Sequence, residues 1–283
     1  MQTVTNIAAL REVVRQWRQA GLSVGFVPTM GNLHAGHIKL VNAAKQQTDK
    51  VVVSIFVNPA QFGPNEDFAS YPRTEQQDKE KLIASDADLL FLPPVAEMYP
   101  QAAQTGISVK NLSGLHCGAS RPGHFDGVAL VVCKLLNMVQ PDLLLLGEKD
   151  FQQLTLIRQM VADLNIPVTV RGVATVREAD GLAMSSRNGY LSKQHRQQAP
   201  KLYQALSAAR DAILAGNNDY PAVAEQQRQN LQQAGFAVDY FSICRSADLL
   251  PADAGDTDLL ILLAARLGTT RLIDNIHFRK ASA

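Results

Sequence analysis

Leu22-Ser23-Val24-Gly25-Phe26-Val27-Pro28-Thr29-Met30-Gly31-Asn32-Leu33-His34-Ala35-Gly36-His37 decides how this chain is to be read. Leu22 to Val27 is a short apolar run that predicts a buried strand. The stretch then passes through a glycine-containing turn into an amphipathic helix expected to reach about Gln47. A strand, a turn and a helix N-terminus bring unpaired backbone N–H groups and a positive dipole end to one point, which suits an anion. His34 and His37, one turn apart on the same face, add donors that follow charge as it builds on a phosphate. The plain alternative for the pair is one solvated cap and one packed core histidine.

Working outward, the flanking segments repeat the strand–helix pattern. Ile7 to Gln19 places Leu10, Val13, Val14 and Trp17 at helical spacing, with Asn6 as a cap. Val51 to Val57 is a nearly continuous β-branched run, as expected for a central parallel strand covered on both faces. Thr74 to Ala84 reads as a helix and Ala87 to Leu92 as a strand closed by Pro93-Pro94. A helix from about Gly127 to Val139, a strand Asp142 to Leu146, a helix Phe151 to Leu164 and a strand Val168 to Val173 follow. This alternation predicts an α/β fold, a Rossmann-like doubly wound parallel sheet with right-handed crossovers. Such sheets bind ligands beyond the carboxyl ends of their strands. The histidine turn, Asn58-Pro59-Ala60-Gln61-Phe62 and Gly147-Glu148-Lys149-Asp150 each follow a strand, so the three loops are expected on one rim.

After about Val176 the rhythm changes. Asp180 to Gly189 is a polar loop, followed by helical stretches at Ser192–Leu214 and Tyr220–Ala234. Two apolar strands, Leu259–Leu267 and Arg271–Ile276, close the chain on either side of Gly268-Thr269-Thr270. The expectation is two domains, residues 1–176 and a smaller α+β domain over 177–283 that hinges near residue 177 and closes as a lid over the first.

Composition narrows the function. The 283 residues are 46% hydrophobic and 19% charged, an ordinary globular, enzyme-like balance with ample length for a core. Net charge is +1, from 27 basic and 26 acidic residues, with no long Lys/Arg run, so a nucleic-acid partner is not expected. No apolar stretch reaches membrane-spanning length, and Met1 to Leu10 lacks a signal-peptide profile, so neither membrane insertion nor export is expected. Cys117, Cys133 and Cys244 are widely spaced, which fits a reducing cytoplasm.

No Walker loop and no G-x-G-x-x-G fingerprint occurs, which leaves ordinary P-loop ATPase and dinucleotide readings unsupported. Zinc spacing is also missing, and His116-Cys117 are adjacent residues that point apart in regular structure. What remains is a set of phosphate-binding groups without a Walker loop: His34, His37, Lys149 and Ser185-Ser186-Arg187. Lys149 follows a strand just before a helix. Arg187, between hydroxyls and a glycine turn, is placed for a lid to carry a guanidinium onto phosphate oxygens.

These residues carry a resemblance. Pro28 to His37 resembles the HIGH-type signature of the nucleotidyltransferase superfamily, and Met184-Ser185-Ser186-Arg187 its KMSKS-type partner. Together with Phe56 to Phe62, Tyr71-Pro72-Arg73-Thr74, Arg121-Pro122-Gly123-His124-Phe125 and Gly147 to Gln153, they are similar to the pantothenate synthetase family of pantoate–β-alanine ligases, from Val24 to Asn275. Ala60 departs from the pattern, standing where the family often has methionine.

The resemblance implies ATP-dependent ligation of D-pantoate to β-alanine in coenzyme A precursor synthesis, through a pantoyl-adenylate, with release of AMP and pyrophosphate. It places Met30, Gly31, Asn32, Leu33, His34, Ala35, Gly36, His37, Gly147, Glu148, Lys149, Asp150, Val176, Met184, Ser185, Ser186 and Arg187 around ATP. His37, His34, Lys149 and Arg187 become the catalytic candidates, with His37 in the family's acid-like position. Gln61, Gln153 and Asn58 become pantoate contacts; a side-chain amide offers a hydroxy acid both donor and acceptor. Magnesium is implied by the triphosphate, with Asp78 as candidate ligand, although by pattern alone Asp78 is a solvated helix residue. Similar proteins are homodimers, so a homodimer is expected. The competing readings are another nucleotidyltransferase that releases an adenylated or cytidylylated product, an aminoacyl-tRNA synthetase, and an idle nucleotide-binding module.

Overall fold

Pleating divides each apolar run between two layers. Val51 and Val53 pack on one side of the sheet and Val52 on the other; Leu143 and Leu145 oppose Leu144 and Leu146 in the same way. That two-sided burial is why these segments show no polar alternation. The computed structural model describes residues 1–64 and 66–281.

In chain order the first part contains β1 (Gln2–Val4), α1 (Ile7–Gln19), β2 (Val24–Thr29), α2 (Ala35–Lys45), β3 (Lys50–Ile55), α3 (Glu75–Ala84), β4 (Leu89–Phe91) and the short α4 (Val95–Met98) and α5 (His116–Ser120). It continues through α6 (His124–Val139), β5 (Leu143–Gly147), α7 (Phe151–Asp163) and β6 (Thr169–Val173). Six parallel strands form one sheet in the order β1-β4-β3-β2-β5-β6. The chain runs outward from β2 through β3 to β4, then returns to β5 on the other side of β2. This reversal opens a crevice at the carboxyl ends of β2 and β5, where a doubly wound sheet takes its ligand. The expected α/β architecture is therefore observed.

One face of the sheet is covered by α1, α6 and α7 through residues such as Leu10, Leu136 and Leu156; the other carries Leu40 and Val41 of α2 and Leu82 of α3. Truncating a fully buried leucine such as Leu144 to alanine is worth about 2–5 kcal/mol of stability.

The second part has α8 (Lys193–Gln198), α9 (Lys201–Leu214), α10 (Tyr220–Gln233) and an antiparallel sheet β7 (Ala237–Arg245), β8 (Asp258–Leu267), β9 (Thr270–Arg279) in sequence order. The continuous helix expected from Ser192 breaks at Pro200, which lacks an N–H and caps α9 instead. Two strands escape the sequence reading. β1 is three residues long and pairs only with β4. β7 serves two cores at once: Phe241 and Ile243 face α9 and α10, whereas Tyr240 and Cys244 join the core of the parallel-sheet domain. Leu260 and Leu262 of β8 do the same, so apolar contact fastens the small sheet to the large one.

Candidate active site

The Met30–Leu33 turn is held from behind by α3. Asp78, only 1% exposed, accepts from Asn32 N at 2.8 Å, Leu33 N at 2.7 Å and Thr74 Oγ1 at 3.2 Å. Lys81, one turn on, donates to Leu33 O at 2.7 Å. Asp78 is thus not the solvated helix residue that pattern alone suggests. Both its oxygens are engaged by the turn, and among the described residues no His, Cys, Asp and Glu side chains group into a metal cage. The residues present do not fit a resident, protein-held magnesium.

At the start of α2 the two histidines cap the helix reciprocally. His34 Nδ1 accepts from Gly36 N at 3.1 Å and His37 Nδ1 accepts from His34 N at 3.2 Å, with ring centroids 4.1 Å apart. Gly36 allows this packing, since a Cβ there would lie 2.9 Å from the His34 ring. Burial pushes His34 down to about 4, reinforced by Lys149 and Lys81 and opposed by Asp150. His37 falls to about 3, through burial first and then the neighbouring His34, Lys149 and Lys81. Both rings are neutral at pH 7, and with Nδ1 accepting, the proton of each sits on Nε2.

A 220 Å³ cavity at the β2–β5 crevice is lined by Met30, His34, Gly36, His37, Asn58, Gln61, Gly147, Lys149, Asp150, Gln153, Val176, Met184, Ser185, Ser186 and Arg187. It adjoins a 700 Å³ cavity that shares Met30, Gln61, Lys149, Asp150, Gln153, Ser185 and Arg187 and extends to β8 and β9. All three strand-end loops and the 184–187 segment therefore meet in one cleft, as the rim expectation requires.

Some of the predicted residues sit elsewhere. Gly31, Asn32, Leu33, Ala35 and Glu148 line neither cavity. Leu33 is a core side chain, 2% exposed. Asn32 instead joins the turn to the 184–187 segment: its O accepts from Ser186 Oγ at 3.2 Å and its Nδ2 donates to Ser186 O at 3.3 Å. Gly31, at φ +84, lets the turn close where a Cβ would crowd Ile55 and Asp78.

Asn58 is saturated by protein. Nδ2 donates to Gln61 Oε1 and Gly127 O, both at 3.1 Å, while Oδ1 accepts from Tyr99 OH at 2.9 Å and Ala60 N at 3.3 Å. It orients Gln61, which lies in the shared wall of the two cavities. Arg187 is gripped by Asp67, with Nε and Nη2 each 2.9 Å from a carboxylate oxygen, and lies over the Tyr71 ring at 5.6 Å. Asp67 keeps the guanidinium charged against the cost of burial. Lys149 Nζ is 3.8 Å from Asp150, beyond hydrogen-bond range.

The sequence reading misses the supports around these groups. Glu66 pairs with Arg121 at 2.5 and 2.6 Å, and Arg121 Nη1 meets His124 Nε2 at 2.9 Å. His124 Nδ1 then donates to Gln61 O at 2.8 Å. Burial, aided by the Arg121 charge, lowers His124 to about 4, so it too is neutral. The Arg121–His124 spacing was visible in the sequence, but its acid partner, 55 residues away, was not.

The sequence model of the family described as pantoate–β-alanine ligase matches residues 2–277. A pantothenate synthetase of Pseudomonas fluorescens (strain Pf0-1) is 56% identical over 279 residues, covering 98% of each chain. The crystal structure of pantothenate synthetase from Thermus thermophilus superposes with a TM-score of 0.91 at 46% identity, covering 98% of this chain and 99% of that one. The pantoate–β-alanine ligase of Francisella tularensis, solved with βγ ATP and β-alanine, gives 0.83 at 36% identity, covering 98% of this chain and 97% of that one. With a crevice at the switch point, neutral histidines at its helix cap and homology over nearly its whole length, the chain belongs to the pantoate–β-alanine ligase (pantothenate synthetase) family.

Proposed function

We propose that the family's ligation of pantoate to β-alanine takes place in this cleft, in two displacements. A pantoate carboxylate oxygen attacks the α-phosphorus of ATP and the bond to the bridging oxygen breaks, releasing pyrophosphate. The β-alanine nitrogen then attacks the acyl carbon of pantoyl-adenylate, the bond to AMP breaks, and the nitrogen loses its proton to water. A carboxylate is a poor acylating agent, and adenylation gives its oxygen a good leaving group.

The observation that carries this reading is the convergence of His34, His37, Lys149 and the Ser185–Arg187 segment on one cavity wall with Gln61 and Gln153. In the first step negative charge grows around the α-phosphate. Two Nε2–H donors, an ammonium and a guanidinium stabilise it without a proton transfer, because the attacking carboxylate carries no proton to remove. Gln61 and Gln153 hold pantoate, with Asn58 setting the pose of Gln61 rather than touching substrate. Magnesium would come to the cleft as part of the substrate, with ATP, and would add positive charge to the triphosphate there without a ligand from Asp78.

The boundary between the nucleotide-binding part and the smaller domain is placed at residues 176/177, and the 178–190 segment acts as a lid. The assembly is a homodimer, and the compartment is the cytoplasm, consistent with three free cysteines. Among the described residues no helix is long and apolar enough to cross a membrane.

Incubation with ATP, pantoate and β-alanine tests the reading. AMP formation that requires the amine, together with pantoate-dependent ATP–pyrophosphate exchange without it, supports ligation. Adenylate that accumulates and never becomes amide supports a nucleotidyltransferase, and ATP binding without turnover supports an idle module.

A further inference from the structure

Lys149 stands on a 3₁₀ turn, Glu148–Asp150, that has no side-chain cap, and its ammonium is not tied by a close ion pair. The position of that flexible side chain therefore depends on where its backbone is held. The holder comes from the other sheet. Asn275 of β9, 6% exposed, donates through Nδ2 to Glu148 O at 2.9 Å and to Lys149 O at 2.8 Å. Both donors of one buried amide are thus spent on two consecutive carbonyls.

The preceding residue grips the other cationic segment. Asp274 pairs with Arg177 at 2.6 and 3.0 Å, Arg177 also donates to Asn275 O at 3.1 Å and Gly181 O at 3.1 Å, and its guanidinium stacks 3.7 Å over Tyr203. Arg177 bridges Ala183, and Met184 N donates to Val176 O at 2.9 Å, closing the root of the segment that carries Ser185 and Arg187.

We propose that Asn275 is a positioning residue for Lys149, and that with Asp274 it sets the spacing between the lysine turn and the serine–arginine segment. The inference rests on the role of Lys149 in adenylation proposed above. A displacement of about 1 Å in such a group is enough to cost up to roughly 100-fold in rate.

The test is a double-mutant cycle on pantoate-dependent ATP–pyrophosphate exchange, with melting temperature read in parallel. Asn275→Leu keeps the shape and removes both donors; Asn275→Ser, a smaller change, takes its place if the leucine variant does not fold. The expected result is a fall in kcat of roughly 10- to 100-fold with pantoate KM unchanged. In a Lys149→Ala background the same substitution should cost less than about twofold, because the group it positions is already gone. A merely structural residue would cost the same factor in both backgrounds. An unchanged kcat, or equal losses in the two backgrounds, overturns the proposal. A wild-type rate for Lys149→Ala alone removes Lys149 from the reaction and overturns the underlying reading as well.

Discussion

Nδ1 of His34 and of His37 is committed to a backbone N–H, so each ring offers only Nε2–H to the cleft. Substitution can separate the two duties of His37. Asparagine keeps an acceptor near the place of Nδ1 and removes the Nε2 donor, whereas alanine loses both. We expect His37→Asn and His37→Ala to lower kcat alike, by roughly 10²–10³-fold, the scale of one transition-state donor. Only the alanine variant should also lose about 1 kcal/mol of stability with the cap. Near-normal turnover in either would remove His37 from the mechanism. Asp78 gives the converse case. Asp78→Asn turns an amide N–H₂ toward a backbone donor and should cost about 1–3 kcal/mol in urea unfolding. The magnesium concentration for half-maximal activity should stay the same; a large rise would make Asp78 a ligand after all. The spacing of the histidines was legible in the sequence because neighbours three apart share a helix face. Their tautomers and the partners of Asp78 were not, since both follow from distances across the fold.

Between elements, the close approach of α6 to the 59–61 turn places Gln61. Gly127 sits so near that a Cβ would lie 2.2 Å from Ala60 O and 2.6 Å from its carbonyl carbon. Helix propensity favours alanine over glycine by up to about 1 kcal/mol. Overpacking against backbone costs about 1–3 kcal/mol and wins here. Gly127→Ala is therefore expected to lower stability and to raise pantoate KM several-fold by displacing Gln61. Urea midpoints and a pantoate titration check this, and a variant with wild-type values in both would show that the turn gives way freely. Strong elements were legible in their patterns: the β-branched Val51–Val53 run and the Asn6 cap, whose side chain accepts from Ala9 N, hardly depend on context. β7 was not, because Asp239 and Ser242 interrupt its apolar run and a bulge between Val238 and Tyr240 breaks the period of two.

For the whole molecule, three half-buried neutral histidines make stability depend on pH. His37 at about 3, and His34 and His124 at about 4, bind protons less readily in the folded chain than at the ordinary 6.5 of the unfolded one. Their contribution is complete above pH 6.5, where neither state binds the protons, and is lost as the pH falls from 6.5 to about 4 for His34 and His124 and to about 3 for His37, because the unfolded state takes up the protons first. His37 alone supplies a slope of up to about 1.4 kcal/mol per pH unit. Urea midpoints should be lower at pH 5 than at pH 7, with a shallower difference in His37→Asn; equal midpoints in the wild type would contradict the assignment. Closure of the molecule belongs to the same scale. Because Leu260 and Leu262 fasten the second sheet to the first core, motion over ATP is expected in the 178–190 segment rather than in the whole domain. A non-hydrolysable ATP analogue should protect residues 180–190 from protease, and equal cleavage with and without it would count against a lid.

The sequence by itself determined the parallel-sheet architecture, the loops at the strand ends and the candidate groups for phosphate, because hydrophobic period, turn chemistry and residue type act over a few neighbouring positions. Only the tertiary structure decided which of those groups face the cleft and what holds them. Asp78 under the histidine turn, Asp67 on Arg187 and Asn275 beneath Lys149 act across 45 or more residues. Pairings at that separation leave no periodic trace, since they are set by how the elements pack and not by the order in which they occur.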